Sequence, residues 1–303
     1  MSTSLPDIRR STAMAQMAMS AIIISFGGLV IRSMQEADVW QIAFYRSLAL
    51  FIAVAGVMVL RHRGAAVRQI RAIGRPGLWA GLLMAGATMS FLQSITSTTV
   101  ANTLFMLSAV PFITAALAWA ILGETLLKST IVTMLAAGTG VGVMVAGGIG
   151  AGSLYGNVMG LVCACCFSGY AIFVRRNRNM ELLPLMMVSS GLVMAVALSQ
   201  RWDDLIIPLH DMLLCFFIGA VLSGGANALF MIAARHLAAA ELTLFTLLEI
   251  ALGPLWVWLV IAETPRAATL LGGAMVITAV LVRALIELGR SRRKSNRLRG
   301  APF

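Results

Sequence analysis

Charge is the scarcest commodity in this sequence. Only 12% of its 303 residues are charged, with 12 acidic side chains and 3 histidines. Soluble domains carry about 25% charged residues, so water cannot be the main solvent around this chain. The histidines, His62, His210 and His236, fall in loops or at the ends of apolar runs, which leaves no mid-membrane histidine proton relay. The four cysteines, Cys163, Cys165, Cys166 and Cys215, sit inside apolar segments. They build no disulfide framework, and a CxCC run on one helix cannot supply a tetrahedral metal site alone. Neither HExxH, facing carboxylates nor a Ser-His set is present, which excludes an intramembrane enzyme, and GxxxxGK[ST] is missing, which excludes direct use of ATP. The glycine run GTGVGVMVAGGIGAG (138–152) does not fit GxGxxG and follows no strand. Its glycines are expected to let helices approach closely.

What the sequence has in abundance is apolar surface: 59% hydrophobic residues and a mean hydropathy of +0.90. A membrane span needs about 20 largely apolar residues. Ten such runs are predicted: 13–31, 39–60, 77–96, 100–122, 129–147, 155–174, 183–199, 211–233, 239–261 and 267–286. Short loops punctuated by Pro76-Gly77, Gly147-Gly148, Pro184, Pro208 and Pro265 separate them. Span 1 follows Arg9-Arg10 but is expected to be retained rather than cleaved, because the symmetry below needs it.

The formal net charge is +11, and its distribution is topological. With a cytoplasmic N-terminus, inside segments hold 18 Lys and Arg residues, including Arg61, Lys128, Arg175, Arg176 and the tail from Arg290 to Arg299. Outside loops hold 3: Arg32, Arg201 and Arg266. Such a bias places both termini in the cytoplasm and requires an even number of spans. With no soluble module to carry it, nucleic-acid binding is not expected.

The chain also repeats itself. AWAILGETL (118–126) returns as VWLVIAETP (257–265), aligning Trp119 with Trp258 and Glu124 with Glu263 at an offset of 139 residues. At the same offset Thr130 meets Thr269, and Thr139-x-x-x-Val143 meets Thr278-x-x-x-Val282. Offsets of 139 to about 143 pair spans 1–3 with spans 6–8. Five spans is an odd number, so the two copies lie in opposite orientations. The expected fold is an all-α membrane protein of ten transmembrane helices arranged as two inverted five-helix repeats, residues 1–150 and 151–303. Inverted repeats belong to secondary transporters, whose two halves can open to either side.

The stretch PFITAALAWAILGE, Pro111 to Glu124, resembles the Pro-x12-Glu signature of the EamA type of the drug/metabolite transporter superfamily. The resemblance extends over about residues 13–287, and within the superfamily the chain is most similar to bacterial amino-acid and metabolite exporters. It implies ten spans in two units around a central cavity, a bacterial inner-membrane location, and export of small metabolites. Span 9 departs from the pattern: Ile250 aligns with Pro111, Pro254 comes four residues later, and Ala262 replaces Gly123. The two halves are therefore expected to bend differently.

Ionisable groups inside lipid cost about 2.5–3.5 kcal/mol on insertion scales and face a cavity or a partner. Arg46 lies seven residues into span 2 and Glu249 in the middle of span 9. Either they pair with each other and hold helices together, or Arg46 meets the carboxylate and Glu249 the ammonium of a zwitterionic solute. Thr88, Gln93, Asn102, Ser108 and Asn227 add polar groups within the spans, and Tyr45, Phe91, Tyr170 and Phe245 are candidate walls of a solute path. Glu124 and Glu263, at span ends, are expected to cap or pin a neighbouring helix. The expectation is a cofactor-free, monomeric alternating-access exporter of small metabolites, amino acids foremost, whose partners are its small-molecule solute and the lipid bilayer. The alternative is a multidrug or lipophilic-compound exporter of the same fold.

Overall fold

A computed structural model describes residues 5–62, 74–124, 128–148, 154–177, 181–234, 237 and 239–299. Among these residues there is no strand, and ten helical spans are long and apolar enough to cross a membrane. Span 1 is two helices, Leu5–Ser25 and Gly27–Arg32; span 2 is Val39–His62 and span 3 is Gly74–Ser97. Span 4 is also two helices, Val100–Leu107 and Val110–Leu122; spans 5, 6 and 7 are Lys128–Gly148, Leu154–Arg176 and Leu182–Gln200. Span 8 runs through Leu209–Phe216, a π-helical stretch Phe217–Gly225, and Ala226–Ala234. Span 9 is Ala239–Ile261, and span 10 lies in the helix Ala267–Arg299. The chain is a multi-pass integral membrane protein.

The repeat is visible in which spans touch. Span 3 packs on span 6, and correspondingly span 8 packs on span 1. The contact of span 1 with span 9 is matched by that of span 6 with span 4, and the contact of span 2 with span 8 by that of span 7 with span 3. Spans 2 and 7, 4 and 9, and 5 and 10 meet their own counterparts. A two-fold axis must therefore pass between the members of each such pair. The repeats are also inverted. The Val100 N–H, at the start of span 4, donates to Oε1 of Glu263 at 2.8 Å. Glu124 follows the far end of the same span, about 33 Å away along the helix. Glu124 and Glu263, which align in sequence, thus sit at opposite ends of the bundle. They define its two faces.

Small residues set the tightest approach. A Cβ on Gly140 would come within 2.6 Å of the Gly272 carbonyl, and one on Gly272 within 2.4 Å of the Gly140 carbonyl. Spans 5 and 10 therefore touch backbone to backbone, as the glycine run in span 5 led us to expect. Gly138 and Gly142 face open space. The buried centre gathers Leu92, Ile95, Val100, Met106, Met144 and Val193. The repeated tryptophans point outward: Trp119 and Trp258 are 58% and 52% exposed, toward lipid.

The halves bend differently. Span 4 breaks at Ser108-Ala109, just before Pro111, whose missing N–H cannot close a helical bond. Span 9 keeps one helix through Pro254. Two irregularities escaped the sequence reading: the break in span 1 at Phe26, and the π-helical stretch of span 8. The first lies against span 9. Phe26 stacks on Trp256 with centroids 4.9 Å apart, and the Trp256 Nε1–H donates to Ser25 Oγ at 3.0 Å.

Candidate functional site

Arg46 and Glu249 are not paired with each other. Arg46 donates from Nη2 to Ser223 Oγ at 3.3 Å, and its guanidinium lies 6.0 Å from the centroid of Phe91. Its Nη1 is enclosed and finds no acceptor among the described residues. Ser223 belongs to the π-helical stretch of span 8, and the backbone of that stretch is pressed against span 2. A Cβ on Gly219 would sit 2.2 Å from the Arg46 carbonyl. A wide turn of helix thus delivers the Ser223 hydroxyl to the arginine, in keeping with the frequent placement of π-bulges at functional sites. Thr88, one turn from Phe91 on span 3, shares its face and is partly exposed.

Glu249 lies on span 9, one turn before Gly253. The Gly253 position abuts Leu104 of span 4 and the Ser25 carbonyl of span 1. Glu249 is partly exposed, and its carboxylate forms no hydrogen bond or ion pair with any described residue. Repeat symmetry gives it Val110 as counterpart, whose carbonyl accepts from Ser168 Oγ at 3.3 Å. Ser25, 143 positions before Ser168, occupies the matching place on span 1. A carboxylate therefore sits at one of two equivalent crossings and has an apolar counterpart at the other.

The remaining candidates divide by how fully the protein occupies their polar atoms. Asn102 is 4% exposed. It donates from Nδ2 to Thr98 Oγ1 at 3.0 Å and to Asn157 Oδ1, and it accepts from Thr269 Oγ1 at 2.8 Å. Asn157 in turn donates to the Met144 carbonyl at 3.3 Å. One buried knot thus joins spans 4, 5, 6 and 10 to the turn between spans 3 and 4. Gln93 accepts from the Tyr155 hydroxyl. Tyr45 donates to the Leu205 carbonyl at 2.9 Å and holds the connection between spans 7 and 8. Ser108, buried in the span 4 break, donates to the Phe105 carbonyl at 2.5 Å. Tyr170 is partly exposed, with Phe167 its ring neighbour at 6.0 Å. Phe245 packs against a separate cluster containing Met17 and Ala233. The Asn227 side chain lies outside the described residues.

Three groups were given no role from the sequence. Asp211 is fully buried and accepts backbone N–H groups from Gln35, Glu36 and Ala37 at 2.9–3.2 Å, which fixes the loop between spans 1 and 2. Its position after Pro208, in the first turn of a span, was the available signal. Arg283 of span 10 donates to the Pro111 carbonyl at 2.7 Å and lies 5.6 Å from the Phe112 centroid. It bridges the proline bend of span 4. Asn157 gave no sign of itself, because its role depends on Asn102 being opposite.

Ten helical spans in two inverted units, with Arg46 and Glu249 lacking an ionic partner among the described residues, have the architecture of a membrane transporter. The family model described as the EamA-like transporter family matches twice, over residues 11–146 and 154–284. The chain belongs to that family. No curated protein matches it. A solved structure titled "Crystal structure of protein" is similar in fold, with a TM-score of 0.65 and 15% identity over 91% of this chain and 98% of that one.

Proposed function

We propose that this transporter exports small zwitterionic metabolites, amino acids foremost, across the bacterial inner membrane by alternating access, with both termini in the cytoplasm. The observation that carries the reading is the separation of Arg46 from Glu249. Two opposite charges lie within spans of different repeats and are not neutralised by each other. Unpaired charge at this depth is expensive, and a solute bearing both a carboxylate and an ammonium compensates each in turn. Arg46 and Ser223, with Phe91 beneath the guanidinium, suit a carboxylate, since a planar guanidinium fork matches its two oxygens. Glu249 suits the ammonium. Thr88 and Tyr170 stand as further solute contacts. The positive-inside bias supports the orientation.

The test is uptake of labelled amino acids by proteoliposomes. Saturable flux that falls at least tenfold in Glu249→Gln and Arg46→Gln, with both variants monodisperse and unchanged in melting, supports the reading. Normal flux in Glu249→Gln removes that carboxylate from the mechanism. Flux of lipophilic cations but of no amino acid would establish the multidrug reading instead.

A further inference from the structure

We infer that four side chains form two matched ionic latches, one at each face of the bundle, whose alternate release opens the solute path. The inference rests on the alternating-access reading and adds the residues that hold each gate shut. At one face, Nε of Arg32 lies 3.0 Å from Oε2 of Glu263. At the other, Nη2 of Arg175 lies 2.6 Å from Oε1 of Glu124. Glu124 and Glu263 align at the repeat offset of 139, and Arg32 and Arg175 are 143 positions apart, within the offset that relates span 1 to span 6. Each latch ties the end of a first span of one repeat to the end of the fourth span of the other. The two pairs are thus one interaction written twice by the symmetry, and each crosses between repeats. A bond within one repeat could not report on their relative motion. A bond between repeats at a face must break when that face opens.

The latches are not equal. The Arg32 side chain also donates from Nη2 to the Thr98 carbonyl, and the second oxygen of Glu263 caps span 4 through the Val100 N–H at 2.8 Å. Arg32 to Glu263 is an ion pair without hydrogen-bond geometry, yet the two side chains are only 27% and 19% exposed. The Arg175–Glu124 pair stands alone among described contacts, with side chains 48% and 44% exposed. Water screens exposed pairs strongly. The Glu124 face is therefore the weaker one and opens first. The span 4 segment between Val100 and Leu122 touches both latches, and its break at Ser108-Ala109 gives it a joint between the two faces.

Spin-label distances test this without any solute. In a background with the four native cysteines replaced, Ser97→Cys with Thr264→Cys reports on the Glu263 face. Ile121→Cys with Asn177→Cys reports on the Glu124 face. Glu263→Gln keeps an oxygen for the Val100 cap and removes only the charge. It is expected to raise the long-distance population at its own face about tenfold, from the loss of a partly buried charged contact. Glu124→Gln is expected to do so about twofold at the other face, as befits an exposed pair. The exchange Glu124→Arg with Arg175→Glu is expected to restore the parent distribution, and Arg32→Lys to fall between parent and Glu263→Gln. Unchanged distances at both faces, or widening that the exchange does not reverse, would overturn the latches. Amino-acid flux that is absent while the distances respond in this manner would remove the solute assignment and leave the latches standing.

Discussion

Replacing Asn102 by alanine separates a structural amide from one that holds solute. Asn102 makes three side-chain hydrogen bonds, to Thr98, Asn157 and Thr269. Its removal leaves Asn157 Oδ1 without a donor in a site where Asn157 is 0% exposed. A buried polar atom left unmatched costs about 1–3 kcal/mol. The Thr269 hydroxyl, which donates to Asn102, can turn back to a carbonyl of its own helix, and Thr98 Oγ1 loses one donor, so each loses nearer the ~0.6 kcal/mol average for interhelical bonds in membranes. Together these predict a loss of about 2–4 kcal/mol. For a chain of this length that is a fall of roughly 5 °C in the melting midpoint, read by intrinsic fluorescence in detergent. Asn157→Ala removes the other half of the same knot, so the double variant is expected to melt close to the worse single one, because residues in one network couple. An Asn102→Ala protein that melts like the parent but loses flux, or a double variant whose costs simply add, would refute the reasoning. The amide would then belong to the solute path.

Further outcomes follow from backbone geometry. Ala262 has φ of +58°, and its repeat counterpart Gly123 has φ of +68°; both end a helix in the left-handed region that a Cβ disfavours. Ala262→Gly is expected to stabilise by about 0.5–1 kcal/mol, and Gly123→Ala to destabilise by a similar amount, both read from melting curves. Gly140→Ala places a methyl group against the Gly272 carbonyl. It is expected to cost at least 1–3 kcal/mol by overpacking, whereas Gly138→Ala, which faces open space, is expected to leave melting unchanged within about 0.5 kcal/mol.

The described geometry keeps two jobs in different places. Residues at the faces hold the repeats together: Glu263 and Glu124 through their arginines, and Asp211 through the loop from Gln35 to Ala37. Arg46 and Glu249, which have no ionic partner among the described residues, lie within spans 2 and 9. That separation suits a carrier, because a charge that must exchange solute cannot also serve as a fixed tie between helices.

Spans, their number and their inversion were legible in one dimension. Each depends on local apolar composition and on counting, and lipid leaves the backbone no option but to close its hydrogen bonds within a helix. The ten runs match the helical spans within about three residues at most boundaries. The pinning roles of Glu124 and Glu263 could also be read from their positions at span ends. Which polar side chain meets which could not. Asn102 and Asn157 are 55 positions apart, Arg46 and Ser223 are 177 apart, and Asp211 serves a loop some 175 residues earlier. A polar residue in an apolar run announces only that it needs a partner. Distance and direction between packed helices decide whether the partner is another helix, the chain's own backbone or a solute, and the widened turn of span 8 that carries Ser223 to Arg46 exists only in that packing.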